Sequence, residues 1–209
     1  MPIDRMLRAA KLESALFDEV KADPNATKQA LLIVLVVSIL QGIAALIGGI
    51  IAGAMVGAIA GASGAPSAGA SAGAMAGGGV VGFFGAIVFG LVGWGVISFL
   101  AHLIGTKVLG GTGTFQEVLR AMGFAHSPQV LDILGFIPVL GGLLGLATMI
   151  WRMAASVIGL RQTLGLDTTK AVILVVILVV IFMVLSAVVG AIALGLGLAG
   201  AMATGTTIR

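Results

Sequence analysis

The chain has 209 residues, of which 59% are hydrophobic and only 9% charged, with a formal charge of +3. A soluble globular domain carries about 25% charged residues, so this composition excludes one. The absence of cysteine excludes a disulfide framework, a thiol nucleophile and a thiolate metal site. What charge there is lies unevenly: no Asp, Glu, Lys or Arg stands between Lys28 and Lys107, or from Ala171 to Ile208. About 20 apolar residues cross a bilayer as a helix, so the chain reads as an integral membrane protein. The fold class expected is all-α, a polytopic transmembrane helical bundle.

Residues 1–28 form a charged segment expected on the cytoplasmic side. Ile3, Met6, Leu7, Ala10, Leu16, Phe17 and Val20 recur near helical spacing among charged residues, which predicts an amphipathic helix over 3–22. Such a helix lies on the membrane surface or packs against the protein's own bundle. The first apolar run begins near Ala30 and is longer than the roughly 7–15 residues of a signal-peptide core, so it is expected to be retained. Asp23-Pro24 reads as an N-cap followed by proline at the first helical position.

The membrane domain is expected over residues 29–198, with five spans near 29–60, 80–104, 115–137, 143–164 and 171–198. At about 1.5 Å per residue the first exceeds the roughly 30 Å hydrocarbon core, so it tilts or leaves the bilayer. Residues 61–79 are almost wholly Gly, Ala and Ser, the composition of a flexible loop. Gly105–Gly113 reads as a polar turn. Thr114 and Glu117 have the spacing of a capping box that opens the third span. That span is the weakest and is broken by Ser127-Pro128. Ile137–Gly142 is a tight turn, 166–170 a short loop, and 199–209 a short polar tail.

Nine of the eleven basic residues fall in the N-terminal segment and in the loops, with their flanks, after spans two and four; Arg209 alone falls on the other side, and Arg152 lies inside a span. Basic residues mark the cytoplasmic face, so the N-terminus is expected inside and the C-terminus outside; a four-span arrangement with residues 115–137 lying flat would put both termini inside and weaken this asymmetry.

Gly49, Gly53, Gly57 and Gly61 repeat every four residues, extended backwards by Ala45. Small residues on one helix face let a second backbone approach closely, in a neighbouring helix or a second copy of the chain. Glu117, Arg120, His126, Asp132 and Arg152 form a candidate intramembrane polar cluster. A charge near the bilayer centre costs roughly 2.5–3.5 kcal/mol, so each should face the bundle. If spans three and four form a hairpin about Val139, Asp132 is the nearest counter-charge to Arg152. The pair then locks the hairpin, or joins His126 in a relay. His102 stands alone at the end of span two, where a hydrogen-bonding role at the interface is expected. The Gly110–Gly113 turn has the backbone for an anion cradle but lacks the Lys-Ser/Thr of a P-loop. No catalytic set, cofactor motif, metal-ligand spacing or nucleic-acid signature is found.

Several segments resemble the Yip-domain family of small membrane proteins, named for interaction with Rab-type GTPases. The resemblance rests on Ile104–Gly111, Thr114–Arg120, Gly123-Phe124-Ala125, Ser127-Pro128, Ile137-Pro138, Ile150-Trp151, Gly159-Leu160 and Thr169-Lys170-Ala171, with Asp23–Thr27 and Ala30 near the entry to the first span. It implies five spans, a cytoplasmic N-terminus and no catalysis; the eukaryotic relatives act in vesicle trafficking and membrane shaping. Without their long N-terminal region, the chain looks like the prokaryotic branch, in the cytoplasmic membrane. The function expected is organisation of the membrane or of partner proteins. The partners expected are the lipid bilayer and other membrane proteins or a second copy. The alternative is a small transporter or channel using the polar cluster.

Overall fold

The computed structural model describes residues 2–63, 68–137 and 139–203, with side-chain surroundings for 3–63, 78–137 and 139–192. All secondary structure among the described residues is helical. The elements are α1 (Pro2–Ala10), α2 (Ser14–Ala22), α3 (Ala26–Ala62), α4 (Ala68–Lys107), α5 (Phe115–Phe124), a 3-10 segment (Ser127–Phe136), α6 (Leu140–Leu164) and α7 (Thr168–Ala203). Four helices, α3, α4, α6 and α7, are long and apolar enough to cross a membrane. They match the first, second, fourth and fifth expected spans. Residues 115–137 are not among the four. Their helix changes type at Ser127-Pro128, where the sequence places the break.

The N-terminal segment is two helices rather than one. Leu12 takes a left-handed φ of 61° between them, and the Glu13 N–H closes the turn on the Arg8 carbonyl. Arg5 then reaches across the hairpin to Glu19 at 2.6 Å, Asp23 at 2.7 Å and Gln29 at 3.0 Å. Arg8 binds Glu19 at 2.8 Å and Glu13 at 3.0 Å. Leu16, Phe17 and Val20 are fully buried, and Phe17 lies against Gly159 and Ala121 at the junction of α5 and α6. α2 is thus packed on the bundle, while Ile3 and Leu7 of α1 stay exposed. Asp23 precedes α3 without being its N-cap; its Oδ1 accepts the Asn25 N–H, and α3 starts at Ala26.

The clasp carries a pH dependence. Hydrogen bonds from Arg8 and then Arg5 hold the Glu19 carboxyl below the usual range; the bond from Arg5, then that from the Asn25 N–H, does the same for Asp23. A carboxyl whose pKa falls on docking favours docking above its free pKa and loses that contribution as pH falls through the docked value. The hairpin should therefore stay docked near neutral pH and loosen below about pH 4. Amide hydrogen exchange over residues 2–22, referenced to α3, is the measurement. Equal relative protection on both sides of that pH would refute the clasp.

Thr114 and Glu117 form the expected capping box: the Thr114 N–H donates to Glu117 Oε2 at 2.8 Å, and the Glu117 N–H to Thr114 Oγ1 at 3.4 Å. The preceding turn is held by protein. The Gly111 N–H donates to the Gly105 carbonyl and the Thr112 N–H to that of Leu164, so these donors are not free to cradle an anion. Gly110 supplies the left-handed φ of 79°. At the other end of α6, Gly165 supplies another at 64°, and its N–H caps Arg161.

Residues 68–79, expected as loop, lie in α4. Alanine has the highest helix propensity of any residue, and a backbone near lipid must satisfy its own hydrogen bonds; both override the loop-like composition. Residues 64–67, Pro138 and the tail beyond 203 lie outside the described residues.

α5 and the 3-10 segment descend along α3. Gly123 faces Ala30, the Gln41 amide meets Asp132, and Gly48 faces Phe136. From Ala30 to Gly48 the rise along α3 is about 27 Å. Beyond that level the described chain continues as α3, α4 and α7.

Candidate functional site

Asp132 is the polar centre of the bundle. Its carboxylate accepts from Gln41 of α3 at 3.0 Å, from Thr148 of α6 at 2.5 Å, and weakly from Gln129 at 3.5 Å. It joins three elements through neutral donors. The expected ion pair with Arg152 does not form: the four ion pairs among the described residues all belong to Arg5 and Arg8. The reason lies in the 3-10 segment. It turns every three residues and rises about 2.0 Å per residue, so the spacing of an α-helical hairpin does not apply.

Arg152 instead enters a cavity of about 560 Å³ bounded by α3, α4, α5, the 3-10 segment, α6 and α7. It stands 12 residues before the end of α6, about 18 Å along the helix, and so deep in the bundle. His126, Gln41, Gln129 and Ser156 share the wall with it; Phe89, Met149, Met153 and Phe182 are among the apolar side chains. The His126 Nδ1 is 2.7 Å from the Met122 carbonyl. A carbonyl only accepts, so Nδ1 carries a proton, and in the uncharged ring Nε2 is then the acceptor.

The other two members of the expected cluster are elsewhere. Glu117 caps α5. Arg120 is buried and donates to Thr27 Oγ1 at 2.8 Å, the Lys21 carbonyl at 2.9 Å and Gln116 Oε1 at 3.3 Å. It joins the α2–α3 corner to α5 and has no part in the cavity. His102 has a buried Nδ1 without a partner and meets the Phe115 ring edge-on at 6.2 Å, so the expected hydrogen bond is not seen at that nitrogen. Sequence reading missed Gln41, Gln129, Thr148 and Ser156. An amide inside an otherwise apolar span was the available signal for Gln41.

The glycine row also resolves. A β-carbon at Gly42 would stand 2.9 Å from the Phe83 carbonyl oxygen, one at Gly79 3.0 Å from that of Leu46, and one at Gly82 3.2 Å from the Ala45 β-carbon. The close approach is between α3 and α4, within the chain. Gly53 is buried, Gly49 and Gly57 partly so, and Gly61 is exposed with nothing within 4 Å of its β-carbon position. A strict four-residue row advances about 40° per step on a helix of 3.6 residues per turn. Between Ala45 and Gly61 it rotates by about 160°, so the whole row does not lie on one face.

Comparison with known families settles the kinship. The family model described as the Yip1 domain matches residues 13–190. The chain belongs to the Yip1 domain family. Among curated proteins and among solved structures, no match is found. The matched region begins at the turn between α1 and α2 and runs into α7. Motif residues that resemble the Yip1 domain have structural roles in this chain. Thr114 and Glu117 cap a helix, Gly123 admits the Ala30 backbone, and Gly159 admits Phe17. Ser127 Oγ binds the Phe124 carbonyl at 2.6 Å, where the helix type changes. This Yip1 domain protein is an integral membrane protein with an all-helical bundle.

Proposed function

We propose that the protein is a non-enzymatic organiser of the membrane around it and of partner membrane proteins. It crosses a prokaryotic cytoplasmic membrane five times, with its N-terminus inside and its C-terminus outside. The ladder from Gly123 to Phe136 beside α3 supports the fifth crossing, because about 27 Å is close to the roughly 30 Å core. The basic residues before α3 and in the loops after α4 and α6 support the orientation. A reporter active only in the cytoplasm should be silent when fused after Arg209; a strong signal there would overturn this topology.

One observation carries the organising role. At the basic end the bundle includes the α1–α2 hairpin, α5 and the end of α6, whereas beyond the level of Phe136 the described residues continue as α3, α4 and α7. Such a body occupies more area in one leaflet than in the other and favours a curved bilayer. Reconstituted at rising density, the protein should turn smooth vesicles into smaller or tubular ones in electron cryo-micrographs. The double variant Glu19→Gln with Asp23→Asn, which loosens the hairpin, should do so less. Vesicle shapes unchanged at every density would refute the role. The second reading, a small transporter or channel, draws on the cavity at Arg152. Solute or proton flux in sealed vesicles, lost in Arg152→Gln, would decide for it.

A further inference from the structure

The cavity in the bundle combines two chemistries. On one side the Arg152 guanidinium enters it with no hydrogen-bond or ion-pair partner among the described residues. The Asp132 charge acts on it through space without pairing with it; a cation without a direct partner at this depth is costly, and a buried charge is retained where an opposite charge meets it. Ser156 shares that wall, so a head group bound there meets a hydroxyl donor besides the cation.

On the other side the space continues into a second cavity of about 290 Å³, with Phe89, Gly93, Ile97 and Phe182 on both walls. This continuation lies between α4 and α7, and Ser186 is its one polar residue. Phe89, Phe182 and Met183 at the rim are 44%, 40% and 61% exposed, on a surface that faces lipid. At Gly93, between the two cavities, a β-carbon would meet nothing within 4 Å. Both volumes are of the order of ligand sites, about 300–1,000 Å³.

The geometry points to a binding site for a single-chain anionic amphiphile drawn from the membrane. Its carboxylate or phosphate head pairs with Arg152, and its acyl chain lies in the crevice between α4 and α7. This goes beyond the organising role and holds whether or not the protein bends membranes.

Trp94 lines the cavity, and the chain's only other tryptophan is Trp151. In a Trp151→Phe background, Trp94 fluorescence reports occupancy directly. Bromine-labelled palmitic acid, added to the protein in neutral detergent, should quench it saturably. Palmitic acid and hexadecyl phosphate should each displace the label about tenfold better than hexadecanol. Arg152→Gln should erase that preference, and Arg152→Lys should keep most of it. Gly93→Leu, whose β-carbon meets nothing within 4 Å, projects into the junction; it should weaken palmitic acid about tenfold and octanoic acid far less. Equal displacement by acid and alcohol in the native protein would overturn the proposal, as would an unchanged preference in Arg152→Gln. Displacement by inorganic phosphate as complete as by palmitic acid would show a free-anion site, and would overturn it too. Melting curves of all three variants alongside the Trp151→Phe parent establish that they are folded.

Discussion

Replacing Asp132 with leucine should destabilise the purified protein by about 1–3 kcal/mol, read as a lower melting midpoint in mild detergent. The carboxylate is the acceptor for Gln41 on α3 and Thr148 on α6. Its removal leaves the part-buried Gln41 amide without this acceptor and the Thr148 hydroxyl with the Gly145 carbonyl alone, at 3.1 Å; an orphaned donor costs about 1–3 kcal/mol. Asp132→Asn keeps one acceptor oxygen and should lose less. Arg152→Leu provides the contrast. It removes no hydrogen bond or ion pair within the described chain and relieves a buried charge, so its midpoint should be no lower than the native one. The double variant Asp132→Leu with Arg152→Leu should then show the Asp132 loss unchanged, because residues that share no contact act additively. Recovery of stability in the double variant would mean that the two residues are paired after all.

Gly42→Leu should be comparably damaging, for a different reason. Even a β-carbon there stands 2.9 Å from the Phe83 carbonyl oxygen and 3.2 Å from its α-carbon. Backbone atoms of a packed helix cannot swing aside as a side chain can, so α3 and α4 must separate. Overpacking of this kind costs about 1–3 kcal/mol. A leucine carries three more carbons than the first that clashes, so the upper end is expected; Gly42→Ala should fall between. Gly61→Leu, in open space, should leave the midpoint unchanged. If Gly42→Leu melts with the native protein, the α3–α4 approach is not what holds these helices together.

Much of the fold was legible because the bilayer leaves so few options. Apolar runs near 29–60, 80–104, 143–164 and 171–198 could only be helices, and four helices answer to them. Thr114 and Glu117 announced a helix start by a local rule that needs no tertiary knowledge. The candidate site was legible in its residues but not in its connections. His126 and Arg152 do share a cavity, yet Asp132 turns to α3 and Thr148, because a 3-10 segment points its side chains along a different spiral from an α-helix. Arg120 looked like a membrane charge and is a strut to Lys21 and Thr27, partners more than 90 residues away. The glycine row was legible in kind: α3 does meet α4 through small residues, at Gly42 and Ala45, the latter being the residue that extends the row backwards.

The hairpin at the start of the chain also sets an order of events during synthesis. Its docking surface is made late: the Trp151 indole binds the Ala10 carbonyl, and Lys21 binds that of Gln162, each across 141 residues. At roughly 5–20 residues per second, that surface follows the hairpin out of the ribosome by about 7–28 s. Until then Leu16, Phe17 and Val20 have no bundle to cover them, and the adjacent membrane surface is the apolar shelter within reach. The nascent segment therefore rests on the lipid as an interfacial helix, and exchanges that bed for α5 and α6 once they are inserted.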